Sequence, residues 1–233
     1  YRYVLIGYAF GGVLLMTLFL LLSESVETTR TSSTVHPLGL HRSKKTVLKL
    51  SAVFSLDAFA GGFIIESFLA YWFHVKFGAD ERVLGMIFFA GNILAGMSAL
   101  SAAHIASRIG LINTMVLTHL PSNVLLCFVP LMPNLPLAIG VLLLRYSISQ
   151  MDVPTRQSYT MAVVAPDERS AAAGVTSIAR SLGASLSPTI AGYFLANPLL
   201  MGAPFFVAGG LKIMYDLLLF RSFKALKPPE EGA

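Results

Sequence analysis

Seven long apolar runs follow one another along the chain, at about 4–22, 47–75, 83–103, 111–131, 135–164, 171–195 and 202–220. Each is bounded by Pro, Gly, Asn or charged residues. A helix needs roughly 20 apolar residues to cross a bilayer, and all seven runs approach or exceed that length. They are continuous, without the strict alternation of a barrel strand, so each backbone must satisfy its own hydrogen bonds as a helix. The pattern predicts an all-α membrane protein, a polytopic bundle of about seven transmembrane helices. The first helix (1–22) is set apart by a long polar stretch, SESVETTRTSSTVHPLGLHRSKK, which reads as a linker over 23–46. Short connections join the remaining six, which predicts antiparallel neighbours in one block over 47–224, followed by a tail over 225–233.

Composition agrees. Of 233 residues, 55% are hydrophobic and 12% charged, with a mean hydropathy of +0.70; soluble domains carry about 25% charged residues. The net charge of +5 is scattered between apolar runs and forms no basic face, so no nucleic-acid partner is expected. The single cysteine, Cys127, excludes a disulfide framework. Orientation follows from the loop cations. One side collects Arg30, Arg42, Lys44, Lys45, Lys49, Arg108, Arg169, Arg221, Lys224 and Lys227; the other has only Arg2, Lys76 and Arg82. This places the linker and the C-terminus in the cytoplasm of a multi-pass cell-membrane protein, with Tyr1 outside. An apolar start on the outer side, without a signal sequence, leads to the expectation that an odd number of spans precedes the chain.

Charges inside the spans carry the candidate chemistry, because each costs on the order of 3 kcal/mol at the bilayer centre. Eight stand there: Asp57, Glu66, Arg145, Asp152, Arg156, Arg180, Lys212 and Asp216. The six spans after the linker divide into two sets of three. The first span of each set carries a carboxylate beside a helix breaker: Asp57 before Gly61-Gly62, and Asp152 before Pro154. Interrupted helices at corresponding positions of two repeats point to a substrate pathway. Asp57, Glu66, Arg145 and Asp152 are the pathway candidates. Asp57 and Glu66 are candidate proton carriers, the alternative being pairing with Arg180 or Arg145. Arg145 lies roughly 15 Å deep at 1.5 Å per residue and suits an anionic or polar substrate group. Arg145, Asp152 and Arg156 fall on nearly one face, with Pro154 expected to kink the helix between the last two. Arg156, Arg180, Lys212 and Asp216 read as a structural charge network, Lys212 and Asp216 being spaced for an i,i+4 pair. Tyr71 and Trp72 suit an aromatic belt at the outer interface. His119 and Gln150 are candidates for a wet cavity, and Asn123 for a bond across helices.

Two local patterns add a family resemblance. The turn HIASRIGLI (104–112) resembles the L-A-D-R-x-G-R cytoplasmic loop of the major facilitator superfamily: Arg108 and Gly110 match, while Ser107 and Leu111 depart from it. The run GASLSPTIAG (183–192) resembles the G-x-x-x-G-P-x-x-G-G helix motif of exporters in that superfamily, matched at Gly183, Pro188 and Gly192. Ser187 and Ala191 replace two of its glycines, and the motif stands in the pseudo-equivalent span of the other half, so it reports helix packing as readily as export. The stretch 149–183 resembles bacterial efflux-type permeases. The resemblance implies that 1–22 is the last helix of an N-terminal half and that 47–224 is the six-helix C-terminal half. It further implies a secondary transporter working by alternating access, with the lipid bilayer, a small-molecule substrate, coupling protons and the missing N-terminal half of the same chain as partners.

Proton-coupled export of small organic compounds is the first reading. Uptake of a polar or anionic metabolite by symport, resting on Arg145, is the second. A transport-dead scaffold and a seven-helix receptor are the readings from other classes. A retinal protein would use Lys212 as its Schiff base, but the third span lacks the carboxylate counter-ion. No HExxH, GxSxG or P-loop occurs, and the five histidines are scattered. Neither an enzyme nor a cofactor or metal site is therefore expected.

Overall fold

The computed structural model describes residues 2–22, 37–224 and 226. Most of the 23–46 linker and of the 225–233 tail lies outside those residues. Helix α1 (Arg2–Leu20) forms a unit of its own. The second unit begins at Pro37 and, among the described residues, holds the other eight α-helices.

Both expected interruptions are present. The second run is two helices, α2 (Lys44–Gly61) and α3 (Glu66–Phe77), parted at residues 62–65. The fifth is α6 (Leu135–Ser149) and α7 (Asp152–Ala162). Here the break falls at Gln150–Met151, not at Pro154. Pro154 is the third residue of α7, in the first turn, where its missing N–H costs nothing. The break separates Arg145 from Asp152 and Arg156, so the three do not share one helix face. The remaining spans are α4 (Glu81–Ile109), α5 (Leu111–Phe128), α8 (Arg169–Leu195) and α9 (Ala203–Phe223). Among the described residues, four spans are long and apolar enough to cross a membrane on those grounds alone: Lys44–Phe77, Glu81–Ile109, Leu111–Leu131 and Pro198–Phe223. Helix α6 is apolar but short, α7 is polar, and α8 is rich in Ser, Gly and Ala. Helices α7 and α8 carry Asp152, Arg156 and Arg180.

Gly110 alone joins α4 to α5. It sits at φ 85°, a conformation that L side chains rarely adopt, which explains the glycine of the loop motif; Arg108 beside it is exposed. Helix α2 lies against α8 and α9, α5 against α9, α6 and α7, and α4 against α6. The α2–α8 contact is close because it is built from glycine. A Cβ on Gly183 would stand 2.3 Å from the Ser55 carbonyl oxygen, and one on Gly62 would stand 2.0 Å from Ser187 Oγ and 2.8 Å from the Ala184 carbonyl oxygen. Gly192, by contrast, faces open space. Of the exporter-like run, Gly183 makes this contact and Pro188 lies exposed within an unbroken helix.

Two large apolar clusters fill most of the unit, beside a smaller one around Leu40, Val47, Val164 and Ala172. Of the large two, one gathers Phe68, Trp72, Phe73, Leu126, Leu142 and Phe205; the other gathers Leu50, Phe54, Met115, Tyr159, Tyr215 and Phe223. Trp72 belongs to the first cluster and not to an interfacial belt. It is 1% exposed, its ring lies 4.7 Å from that of Phe205, and Lys76 Nζ caps it at 4.8 Å. Tyr71 is the exposed member of the pair.

A clamp fixes the start of α2 to the α7–α8 connection. The Glu168 carboxylate is fully enclosed and accepts the backbone N–H groups of His41, Arg42 (2.7 Å) and Ser43 (2.8 Å). His41 adds ring contacts to Glu168 (2.7 Å) and Asp167 (3.2 Å), and Ser43 Oγ accepts the Ala165 N–H. Burial alone raises the Glu168 carboxyl, but the donors from His41, Ser43 and Arg42 outweigh it and hold the group at about 2 against an ordinary 4.5.

Two outcomes are expected. Gly183→Val forces α2 and α8 apart and destabilises the unit by about 1–3 kcal/mol in thermal unfolding of the purified protein, while Gly192→Ala is near neutral. Because the Glu168 carboxyl is depressed in the folded state, its contribution is complete above about 4.5 and is lost as pH falls towards 2. Protection of the amides of residues 41–43 against hydrogen exchange, taken relative to their intrinsic rates, should fall across that window, and Glu168→Gln should lower it at all pH.

Candidate functional site

A polar layer lies between the two large apolar clusters, assembled from five helices. On α2, Asp57 follows Phe54 of one cluster and precedes Phe63 of the other. On α5, His119 and Asn123 stand between Val116 and Leu126. On α9, Lys212 and Asp216 stand between Ala208 and Leu219. Helix α7 supplies Asp152 and Arg156, and α8 supplies Arg180. Asp57, Asp152, Arg156, Asp216, His119 and Asn123 are all less than 9% exposed.

Asp57 is the hub. Its Oδ2 accepts from Arg156 Nη1 at 3.2 Å and Arg180 Nη1 at 3.1 Å; its Oδ1 accepts from Lys212 Nζ at 2.5 Å and lies 3.9 Å from His119 Nε2. Arg156 also reaches Asp152 Oδ2 at 2.8 Å, so one guanidinium joins two carboxylates, and it lies 5.6 Å from the Phe54 ring. The i,i+4 pair of Asp152 and Arg156 thus forms inside a larger assembly. The expected Lys212–Asp216 pair does not: Lys212 reaches across to α2, because a lysine one turn before Asp216 lies level with Asp57. Asp216 turns to α5, where it accepts from His119 Nδ1 at 2.8 Å and from Asn123 Nδ2 at 3.0 Å.

Three carboxylates (Asp57, Asp152, Asp216) balance three permanent cations (Arg156, Arg180, Lys212), so the layer is neutral when His119 is neutral. His119 and Asn123 were the members that sequence reasoning left outside the charged set. Their i,i+4 spacing within an apolar run was the available signal.

Two candidates lie apart. Arg145 on α6 is half-buried, its Nε enclosed without a hydrogen-bond partner; it forms no ion pair among the described residues and lies 5.6 Å from the Tyr146 ring. Glu66 is exposed at the first turn of α3 and likewise forms no ion pair among the described residues. Arg180 thus takes the pairing role with Asp57, and Arg145 does not. Among the described residues no group of three or more His, Cys, Asp or Glu is arranged to hold a metal.

A cleft of about 390 Å³ opens onto the layer. Ala58, Gly61, Gly62, Ile65, Ser181 and Ala184 form its walls, and Asp57, Arg180 and Lys212 supply its charge. Gly61 lies beside the lysine head, where a Cβ would make an ordinary contact with Nζ at 3.7 Å.

Removing one partner from a buried ion pair strands the other, at a cost of about 3–5 kcal/mol. Asp57→Ala strands three cations and should destabilise the purified protein by at least that range in thermal unfolding. Adding Lys212→Met to Asp57→Asn should recover part of the loss, and a double-mutant cycle should return a coupling of about 0.5–3 kcal/mol.

Comparison with known proteins completes the description. A sequence model of the Major Facilitator Superfamily matches residues 1–188. A Saccharomyces cerevisiae protein described as uncharacterized membrane protein YJR124C is 26% identical over 249 residues, covering 94% of this chain and 55% of the yeast protein. The chain thus spans about half the length of that relative. No solved structure matches.

Proposed function

Because the chain belongs to the Major Facilitator Superfamily, we propose that it is the C-terminal half of a secondary transporter that exports small organic compounds in exchange for protons by alternating access. The observation that carries this reading is the buried layer around Asp57, with a cleft opening onto it. Charges within a bilayer are costly even when paired, and where they occur they mark substrate or ion pathways. The cleft gives a solute access to the same carboxylate that holds the cations. Asp57 and Asp152, joined through Arg156, are the proposed coupling groups. An N-terminal half is proposed to supply the other wall of the substrate cavity. The membrane is proposed to be the cell membrane, with linker and C-terminus cytoplasmic, on the ten-to-three distribution of loop cations. The likeness of 149–183 to efflux-type permeases and the small-residue contact of α8 on α2 support export.

A second reading rests on one observation. Arg145 holds an enclosed, unpartnered Nε outside the balanced layer, the arrangement expected of a residue that binds a carboxylate or phosphate brought by a substrate. It would make the protein a symporter of an anionic metabolite.

Ethidium efflux from cells expressing the full-length protein, with and without an uncoupler, tests the first reading. Uncoupler-sensitive efflux is expected, and Asp57→Asn and Asp152→Asn should each reduce it at least tenfold. Unchanged flux in both variants removes the coupling assignment. Arg145→Gln should leave ethidium efflux within about twofold of wild type; loss of flux there would favour the second reading.

A further inference from the structure

The hub divides its two oxygens unequally. Oδ2 of Asp57 is held by two arginines, which stay charged at every working pH. Oδ1 faces Lys212 Nζ at 2.5 Å and His119 Nε2 at 3.9 Å. His119 is the one imidazole of the layer, and a neutral imidazole has one ring nitrogen able to accept a proton. Its surroundings fix which nitrogen is free to change. Nδ1 lies 2.8 Å from Asp216 Oδ1 and 3.1 Å from Asn123 Nδ2; the nearer carboxylate oxygen, ionised, only accepts, so Nδ1 donates to it. Asn123 donates to the other oxygen of Asp216 and holds that carboxylate still, while the Tyr215 ring stands edge-on to the imidazole at 5.7 Å. Nε2 is then the basic nitrogen, and it faces Asp57. Around it stand Asp57 of α2, Asn123 of α5, Tyr215, Asp216 and Lys212 of α9, and, across Asp57, Arg156 and Asp152 of α7 and Arg180 of α8.

We propose that His119 is the group that receives the coupling proton, and that its charge drives Lys212 off Asp57 and into the cleft. A proton on Nε2 gives the otherwise neutral layer a net positive charge. It also creates an N–H donor that needs to move only about 1 Å to bond Oδ1. Lys212 holds that same oxygen, and it lines the cleft on a flexible four-carbon stem, 11% exposed. It is therefore the cation with both the reason and the space to leave. In the cleft its ammonium repels and displaces a cationic solute. When the proton departs, Lys212 returns to Asp57 and the cleft is free again. Asp216 and Asn123 act as positioning residues, setting the His119 tautomer. This rests on the proton-exchange reading above and adds to it the proton acceptor and a cationic solute class.

The test follows Lys212 directly and needs no solute. The full-length protein in lipid nanodiscs is treated with a water-soluble succinimidyl ester between pH 6 and 8.5. Acylation of Lys212 is measured by mass spectrometry relative to exposed Lys45, which corrects for the intrinsic pH dependence of amines. The Lys212/Lys45 ratio should rise about fivefold as pH falls from 8.5 to 6, a change that needs no variant to fold. In His119→Gln the ratio should stay flat, and in Asp216→Asn, where the tautomer is no longer set, the rise should be at most half. A flat wild-type ratio, or an equal rise in His119→Gln, overturns the proposal. Ethidium efflux decides separately whether proton exchange takes place, so either idea can fail without the other.

Discussion

One carboxylate sets the constraint on which the rest of the fold depends. Asp57 is buried in a helix that crosses a medium unable to solvate it, and an unpaired charge there is not tolerated. Its remedy is three cations, each from a different helix: Arg156 of α7, Arg180 of α8 and Lys212 of α9. Those ion pairs impose a register. Once Asp57 is placed, three other helices can slide or rotate only by breaking a charged contact in low dielectric. Packing of apolar side chains against lipid-like neighbours cannot specify register this sharply, because one leucine surface in a bilayer is much like another.

Bringing four helices to one carboxylate requires short distances between their axes, and the sequence supplies them with small residues. Gly183 and Gly62 let the backbones of α8 and α2 meet almost directly, which carries Arg180 to Asp57. The break at 62–65 ends α2 soon after Asp57, and the break at Gln150–Met151 starts α7 at Asp152. Each broken span therefore delivers its carboxylate at a helix segment that can be aimed independently of the remainder. The Glu168 clamp sets these two segments at the same level, because it ties the start of α2 to the turn that follows α7.

Much of this was legible in the sequence, and the rest was hidden for physical reasons. Continuous apolar runs gave the helices, and the Gly61-Gly62 and Asp152–Pro154 segments marked the two broken spans. Charge within a span identified six of the eight members of the layer, since the cost of burying an ion is local and can be read residue by residue. Its pairings could not be read that way. Spacing suggested Lys212 with Asp216, yet each finds its partner on another helix, because a cross-helix contact is decided by register and rotation that no single run contains. His119 was underweighted because a neutral imidazole in an apolar run carries no net charge; only the approach of Asp216 and Asp57 gives it significance. Pro154 misplaced the break by a few residues, since a proline in a first turn is compatible with an unbroken helix start. Trp72 looked interfacial by its position near a span end, and Phe205 on a distant run buries it.

The placement of the two remaining charges follows the same logic in reverse. In the first broken span, Asp57 lies before the break and Glu66 after it. In the second, which runs the opposite way, Arg145 lies before the break and Asp152 after it. The halves clamped at one level, α2 and α7, thus carry the carboxylates that the cations neutralise. The other halves, α3 and α6, carry a carboxylate and a guanidinium that no ion pair among the described residues satisfies. A membrane unit that neutralises six charges with one another and leaves two of opposite sign across two helix breaks has separated its demands. The balanced layer fixes the register of the bundle. The unbalanced pair stands outside that constraint, on the halves of the broken spans that the layer does not hold.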